Sequence, residues 1–264
     1  MSPGRYFIKA FILLIYLSIF YTPLFAQKQH THGVFWGRLV LADKINNKLK
    51  WELYLQKRTQ SAGTDNIFKA PHFISIWPWL NYKLTSNTKI SLSPIAYFDS
   101  HVFYDNIDDI KAEGIKEYRI SMRIENEQKF LRFNYSNRYS LEYRMRDLMY
   151  NGEYKPNWRA RYQFRLEKPF LNILSKNKPV SVFVADEIFI QFGSAVKSNP
   201  NIFDQNRISL GMGYEVIKNI KLSASYLNII QQRISGKDID NAHALWIVLS
   251  FENLISQFKK HKNS

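Results

Sequence analysis

The sequence predicts an all-β fold, an antiparallel transmembrane β-barrel of about twelve strands. Three observations favour this fold class. The first residues have the layout of a secretory signal, polar and apolar residues then alternate with period two along most of the chain, and short and long connections mostly alternate between the predicted strands. Period-two alternation is typical of strands with two chemically different faces, and the alternating connections are typical of barrels that cross a membrane.

The N-terminal segment predicts export. Arg5 and Lys9 precede an apolar run over residues 10–20, and small Ala26 follows shortly afterwards. This order matches a signal peptide over residues 1–26, cut between Ala26 and Gln27, which leaves one domain of residues 27–264. An uncleaved membrane anchor is the alternative, although the apolar run is short for one.

The composition limits the chemistry. The chain has no cysteine, which excludes disulfides, thiolate catalysis and cysteine metal sites. The net charge is +15, of which Arg5 and Lys9 contribute two, so the exported part carries +13. Export makes nucleic acid a poor partner for this charge. We expect instead outer-membrane lipid, interior carboxylates and small anionic solutes as partners, together with the barrel-assembly machinery, and no cofactor.

Four segments carry the clearest alternation. In the first, Glu117, Arg119 and Ser121 point one way, while Tyr118 and Ile120 point the other. The four segments are residues 117–125, 131–144, 159–167 and 205–216. Weaker alternation predicts seven more strands, over residues 34–43, 49–58, 72–84, 89–103, 180–191, 220–232 and 242–251.

Turn-forming residues predict tight connections at Asn46-Asn47, Ser86-Asn87, Asn126-Glu127 and Lys218-Asn219. Longer connections fall near residues 60–70, 104–114, 145–156, 194–204 and 234–242, and the connection near 170–178 is of intermediate length. These predictions give eleven strands. Because single-chain bacterial barrels have an even number, twelve is the predicted number and ten the alternative.

The predicted strands are long and the apolar face is rich in aromatic residues, which favours lipid outside and charge inside. The polar face then forms a charged lumen in which arginine exceeds glutamate. The predicted members are Glu117, Arg119, Arg123, Glu125, Arg132, Arg138, Glu142, Arg144, Arg159, Arg161, Arg165, Glu167, Glu187, Arg207 and Glu215. Arginine suits this role because it stays charged and can hold a carboxylate through two hydrogen bonds.

Several short motifs resemble a known family. They are Asn137-Arg138-Tyr139 with Glu142 and Arg144, Arg159-Ala160-Arg161-Tyr162, Asp186-Glu187-Ile188-Phe189, and Phe203-Asp204-Gln205-Asn206-Arg207 followed by Gly211-Met212-Gly213-Tyr214. In order and spacing they are similar to the exported family catalogued as domain of unknown function 2490, from about Trp36 to the last strand. The resemblance implies an outer-membrane barrel of a Gram-negative bacterium and supplies no reaction.

The charged face has two interpretations, a salt-bridge network that stiffens a structural barrel and a narrow lumen that prefers anions. There are two alternatives: an outer-membrane hydrolase acting on lipid or peptide, and a soluble periplasmic β protein with the alternation inverted. The candidate catalytic residues are His72, His101 and His243, with Asp99, Asp105, Asp108 and Asp109 near one loop. No spacing among them indicates a nucleophile and its base, so we predict that the chain is not an enzyme. His30 and His32 are interpreted as part of a disordered end.

Overall fold

The computed structural model describes residues 28–111, 113–175, 178–199, 201–233 and 238–259. The predicted signal peptide and its cut between Ala26 and Gln27 lie outside these residues. Eleven strands form the fold: β1 Gln29–Lys44, β2 Leu49–Gln60, β3 Ala70–Lys83, β4 Thr88–Ser100, β5 Ile115–Phe130, β6 Phe133–Arg146, β7 Lys155–Ser175, β8 Lys178–Phe192, β9 Phe203–Ile217, β10 Ile220–Gln232 and β11 Ile239–Phe251. Each contains one of the eleven predicted segments or most of it.

Helical structure is short. Two 3-10 turns occupy Ile107–Lys111 and Ser194–Val196, and a four-residue α-helix, Ser256–Lys259, follows β11. Within the described ranges no helix is both long and apolar enough to cross a membrane.

The strands form one closed barrel, and this confirms the predicted fold class. Consecutive strands pair antiparallel, and β1 pairs with β11 in parallel, with Trp36 opposite Trp246. The described chain thus has one strand fewer than the twelve predicted. The even-number rule assumes that the first and last strands run in opposite directions; a parallel seam removes that requirement and lets an odd number of strands close.

The parallel seam also fixes where the chain enters and leaves the barrel. One end, here called the turn end, holds the short connections 45–48, 84–87, 131–132, 176–177 and 218–219. The other, the loop end, holds the connections 61–69, 101–114, 147–154, 193–202 and 233–238. The first residue of β1 lies at the loop end and the last residue of β11 at the turn end. The predicted alternation of short and long connections is therefore present.

The apolar face points outward. On β9, Leu210 and Met212 leave 59% and 57% of their surface exposed, whereas Glu117 and Glu142 inside the barrel leave 2% and 0%. The inverted arrangement, with apolar residues inside and charges outside, is not the one that the chain adopts. An outer surface of this kind has no favourable contact with water and suits acyl chains.

The predicted turn at Asn126-Glu127 is wrong. Strand β5 continues to Phe130, and the turn consists of Leu131 and Arg132, with Leu131 at a positive φ of 54°. A leucine in this conformation is uncommon and gives no sequence signal, whereas Asn126 resembles a turn residue. As a result, Arg132 is exposed at the turn end and is not part of the lumen.

The two ends of the barrel can be assigned to the two sides of the membrane by labelling, because the chain contains no cysteine of its own. Asp65 and Ser86 are exposed at the loop end and the turn end, respectively. If the longer loops face the cell exterior, a membrane-impermeant maleimide added to intact cells should label the Asp65→Cys variant and spare Ser86→Cys. Lysed cells serve as the control, in which both variants should react. The opposite pattern in intact cells would reverse the orientation.

Candidate functional site: the charged interior

Three buried glutamates organise the ion pairs inside the barrel. Glu117 contacts Arg119 at 2.6 Å and Arg144 at 2.7 Å. Glu142 contacts Arg159 and Arg161, each at 2.7 Å. These residues, with Glu187, Arg138 and Arg146, are here called the interior charge network.

Shared arginines join the three glutamates into one continuous chain of contacts. Arg119 reaches Glu142 at 3.3 Å in addition to Glu117, and Arg161 reaches Glu187 at 2.6 Å in addition to Glu142. Glu187 also pairs with Arg138 at 3.1 Å. Because each carboxylate has two or more cationic partners, the burial of three negative charges is offset by charge-assisted hydrogen bonds.

Strand register brings these side chains together. Glu117 is opposite Arg146 across β5 and β6, and Glu142 is opposite Arg159 across β6 and β7. Residues two apart on one strand share a face, so Arg159 and Arg161 reach Glu142 from the same strand. The network therefore depends on the alignment of four adjacent strands, β5 to β8.

The other predicted lumen residues are outside this network. Glu125 pairs with Lys89 at 2.6 Å, and Arg165 pairs with Glu167 of its own strand at 2.6 Å, both towards the turn end. Glu215 accepts a hydrogen bond from the backbone N–H of Asn219 and so supports the β9–β10 turn. The two remaining arginines stack on aromatic rings: Arg123 lies 4.3 Å from the centre of Trp79, and Arg207 lies 4.5 Å from that of Phe189.

Part of the interior is aromatic, which the predicted charged lumen did not include. Strands β1, β3, β4 and β11 place Trp36, Trp77, Trp79, Phe98 and Trp246 inside the barrel, here called the aromatic sector. Two further arginines, Arg38 and Arg58, lie against it. The alternation of β3 contained a signal, since both tryptophans share a face with Ser75 and Asn81, but an outward aromatic girdle explained them equally well.

Arg38 and Arg58 are held by rings and amides. The Arg38 guanidinium lies 4.9 Å from the Trp246 ring centre and donates hydrogen bonds to Gln56 Oε1. That oxygen also accepts from the Trp36 indole N–H at 2.6 Å. Arg58 lies 3.4 Å from the ring centre of Trp36 and 4.1 Å from that of Phe73. Aromatic faces attract guanidinium groups, and this attraction is strongest where water is excluded.

Two cavities occupy the interior. The larger, about 510 Å³, opens between the loop-end connections, and the smaller, about 250 Å³, lies towards the turn end. Trp36, Arg38, Trp77, Arg161 and Arg207 line both cavities and therefore form the layer between them.

A second cluster attaches the 101–114 connection to the loop end. Arg233 contacts Asp105 and Asp240, each at 2.8 Å, and His32 contacts Asp240 at 2.8 Å. His30 lies 3.0 Å from Asp105. The hydrogen bond from Arg233 lowers the pKa of the Asp105 carboxyl. His30 and His32 are thus part of β1 and of this loop-end cluster, so their interpretation as a disordered end is wrong.

Each candidate catalytic histidine contacts an aromatic side chain. His101 Nδ1 contacts the Tyr104 hydroxyl at 2.8 Å, and His243 Nδ1 contacts the Tyr226 hydroxyl at 2.6 Å on the outer surface. His72 stacks on Phe103. In the described part of the chain, no group of three or more histidine, aspartate or glutamate residues has the arrangement of a metal site.

Comparisons with known proteins identify a family. The sequence model of a family described as "Protein of unknown function (DUF2490)" matches residues 34–240. No curated protein sequence matches the chain. A solved structure of the NanC porin is 13% identical and covers 83% of this chain and 97% of its own, with a TM-score of 0.49. The β domain of the Bordetella autotransporter BrkA is 11% identical and covers 70% of this chain and 78% of its own, with a TM-score of 0.40.

Glu142→Gln should destabilise the barrel by about 3 kcal/mol, because it removes a buried charge that three arginines share. The free energy of unfolding by urea from lipid vesicles, followed by tryptophan fluorescence, measures this change. Glu167→Gln is the control: its partner Arg165 is partly exposed, and such pairs contribute less than about 1 kcal/mol. If Glu142→Gln lowers the free energy of unfolding no more than Glu167→Gln does, Glu142 does not have the central position described here.

The attachment of the 101–114 connection should depend on pH. The folded-state pKa of Asp105 lies below its ordinary value, so its contribution is complete above the ordinary pKa and is lost as the pH falls through the lowered one. A spin label at Ile107→Cys should therefore become more mobile in acid. Arg233→Gln should give the mobile spectrum at neutral pH, while Lys111→Gln should not. An immobile label in the Arg233→Gln variant would exclude this role for the ion pair.

Proposed function

The chain belongs to the family described as Protein of unknown function (DUF2490), and we propose that it is an outer-membrane barrel that acts as a narrow pore with a preference for anions. The proposal has two parts, the placement in a membrane and the charge of the lumen. Each is supported by a separate feature of the structure.

The outer surface supports the membrane placement. Ile74, Ile120 and Leu210 lie on different strands, and each leaves about half or more of its surface exposed. Closure of the barrel pairs the first strand with the last, so no edge strand is left with free backbone groups. A closed sheet with an apolar exterior is one of the two kinds of structure that can span lipid. The predicted export signal and the barrel-assembly machinery fit the same location.

The excess of arginine around the cavities carries the anion preference. Nine arginines and four carboxylates line the larger cavity, and six arginines and one carboxylate line the smaller one. The buried carboxylate of Glu142 neutralises part of this charge, although Glu142 does not line either cavity. Arg38, Arg58 and Arg207 pair with no carboxylate among the described residues. Fixed charge of one sign in a narrow lumen attracts ions of the other sign.

The layer between the two cavities favours a second candidate, a closed structural barrel. Trp36 and Trp77 are buried there, and Arg38 is held by hydrogen bonds to Gln56. A pore needs these side chains to leave a path, whereas a structural barrel needs only the interior charge network. The same measurement distinguishes the two candidates.

We propose that the chain is not an enzyme, because no spacing in its sequence indicates a nucleophile and its base. A measured lipase activity that His101→Ala abolishes would require this conclusion to be changed. His243→Ala, on the outer surface, is the matched control.

Planar bilayers under a salt gradient test the pore. The folded protein should conduct ions, and the sign of its reversal potential should show that anions pass more readily than cations. Arg38→Gln and Arg207→Gln should each move the reversal potential towards zero, because both arginines line both cavities. The shift should be larger at low salt, where fixed charges are screened less.

Arg132→Gln is the control for this experiment, since it removes the same charge from the exposed turn of β5 and β6. It should leave the reversal potential unchanged. Cation preference, or equal effects of the lumen and turn variants, would contradict the proposed selectivity. A folded barrel that does not conduct would favour the structural candidate.

A further inference from the structure

The loop-end cavity, of about 510 Å³, has two chemically different walls. Trp36, Phe73, Trp77, Phe98 and Phe103 form an aromatic wall on the side of β1, β3 and β4. Six arginines from β5, β6, β7 and β9 make the opposite wall strongly positive. Ligand cavities of this size typically combine apolar walls with a few polar groups that fix the orientation of the ligand.

Two arginines meet at the boundary between these walls. The guanidinium carbon of Arg58 lies 3.4 Å from the Trp36 ring centre, and that of Arg207 lies 5.1 Å from the same centre. The same indole ring therefore contacts both guanidinium groups. Neither guanidinium group has a carboxylate within 4.0 Å in the described part of the chain, and Glu187, which lies opposite Arg207 across β8 and β9, is held by Arg138 and Arg161.

Both arginines keep hydrogen-bonding capacity that the protein does not use. The Nε atoms of Arg58 and Arg207 are buried and have no acceptor among the described residues. Arg58 lies between the rings of Trp36 and Phe73, and both arginines line the loop-end cavity. The planar fork of a guanidinium group matches the two oxygens of a carboxylate. A buried cation without an anionic partner is costly, so a bound anion at this point would be stabilised strongly.

We propose that this cavity binds a small organic carboxylate, with its carboxylate group between Arg58 and Arg207 and its apolar body against the aromatic wall. The inference rests on the proposed anion preference and names the solute class. An inorganic anion would satisfy the arginines equally well but would leave the aromatic wall without a contact. A neutral aromatic solute would contact the aromatic wall but leave the two arginines without an anion.

Benzoate, benzamide, acetate and inorganic phosphate are suitable probes, titrated into the purified folded protein in detergent and followed by calorimetry. Benzoate should bind at least about tenfold more tightly than benzamide, which has the same shape without the charge. It should also bind about tenfold more tightly than acetate, which lacks the ring. Benzamide equal to benzoate, or phosphate binding as tightly as benzoate, would overturn the assignment.

Arg58→Gln and Arg207→Gln should each weaken benzoate binding about tenfold or more, since each removes a charged donor. Arg132→Gln should bind benzoate as the unchanged protein does. Arg58→Lys provides a second variant that keeps the interior charge; it should also bind more weakly, because an ammonium group cannot form the paired hydrogen bonds. Unchanged affinity in folded Arg58→Lys and Arg207→Gln would reject the site.

Bilayer conductance separates this inference from the proposed function. An anion-selective pore that does not bind benzoate would reject the carboxylate site and leave the pore intact. A barrel that binds benzoate through Arg58 and Arg207 but does not conduct would reject the pore and support the site.

Discussion

The structure depends on the sharing of three buried glutamates among the arginines of four adjacent strands. Each arginine alone would be costly inside a barrel whose exterior is apolar, and each glutamate alone would be equally costly. Glu142 has no exposed surface and contacts Arg119, Arg159 and Arg161. Because its partners lie on both neighbouring strands, any slip in register would separate charge from countercharge. The ion pairs inside the barrel therefore favour one strand register, and the apolar face on the outside favours the same register.

The rest of the interior uses aromatic rings to hold positive charge. Arg58 and Arg38 lie on Trp36 and Trp246, and Arg119 joins the two halves because it contacts both Glu117 and the Phe98 ring, at 3.9 Å. Ring faces attract a guanidinium group but do not neutralise it. The interior charge network itself holds six arginines against three glutamates, and Arg38 and Arg58 add positive charge in the aromatic sector. This excess of positive charge connects the stability of the barrel to its proposed selectivity.

The parallel seam has a consequence for the loop end. Since β1 begins there, His30 and His32 lie beside Asp240 of β11 and Asp105 of the 101–114 connection. In an antiparallel closure, the first residues of β1 would lie beside the last residues of the final strand instead. The contact of His32 with Asp240 thus depends on the parallel pairing of β1 and β11.

The sequence by itself determined the all-β class, the positions of the eleven strands, and the polar face of the four clearest ones, because these follow from local period-two alternation. The excess of arginine over glutamate on the polar faces is likewise a property of the sequence, and Glu117, Glu142 and Glu187 of the predicted set are buried in the structure. Tertiary structure decided the rest: that β1 closes in parallel on β11, that Arg132 belongs to a turn, and that Trp36 and Trp77 face inward. Strand closure and the pairing of Glu142 with its arginines join residues far apart in the chain, and alternation along one strand carries no information about its neighbours.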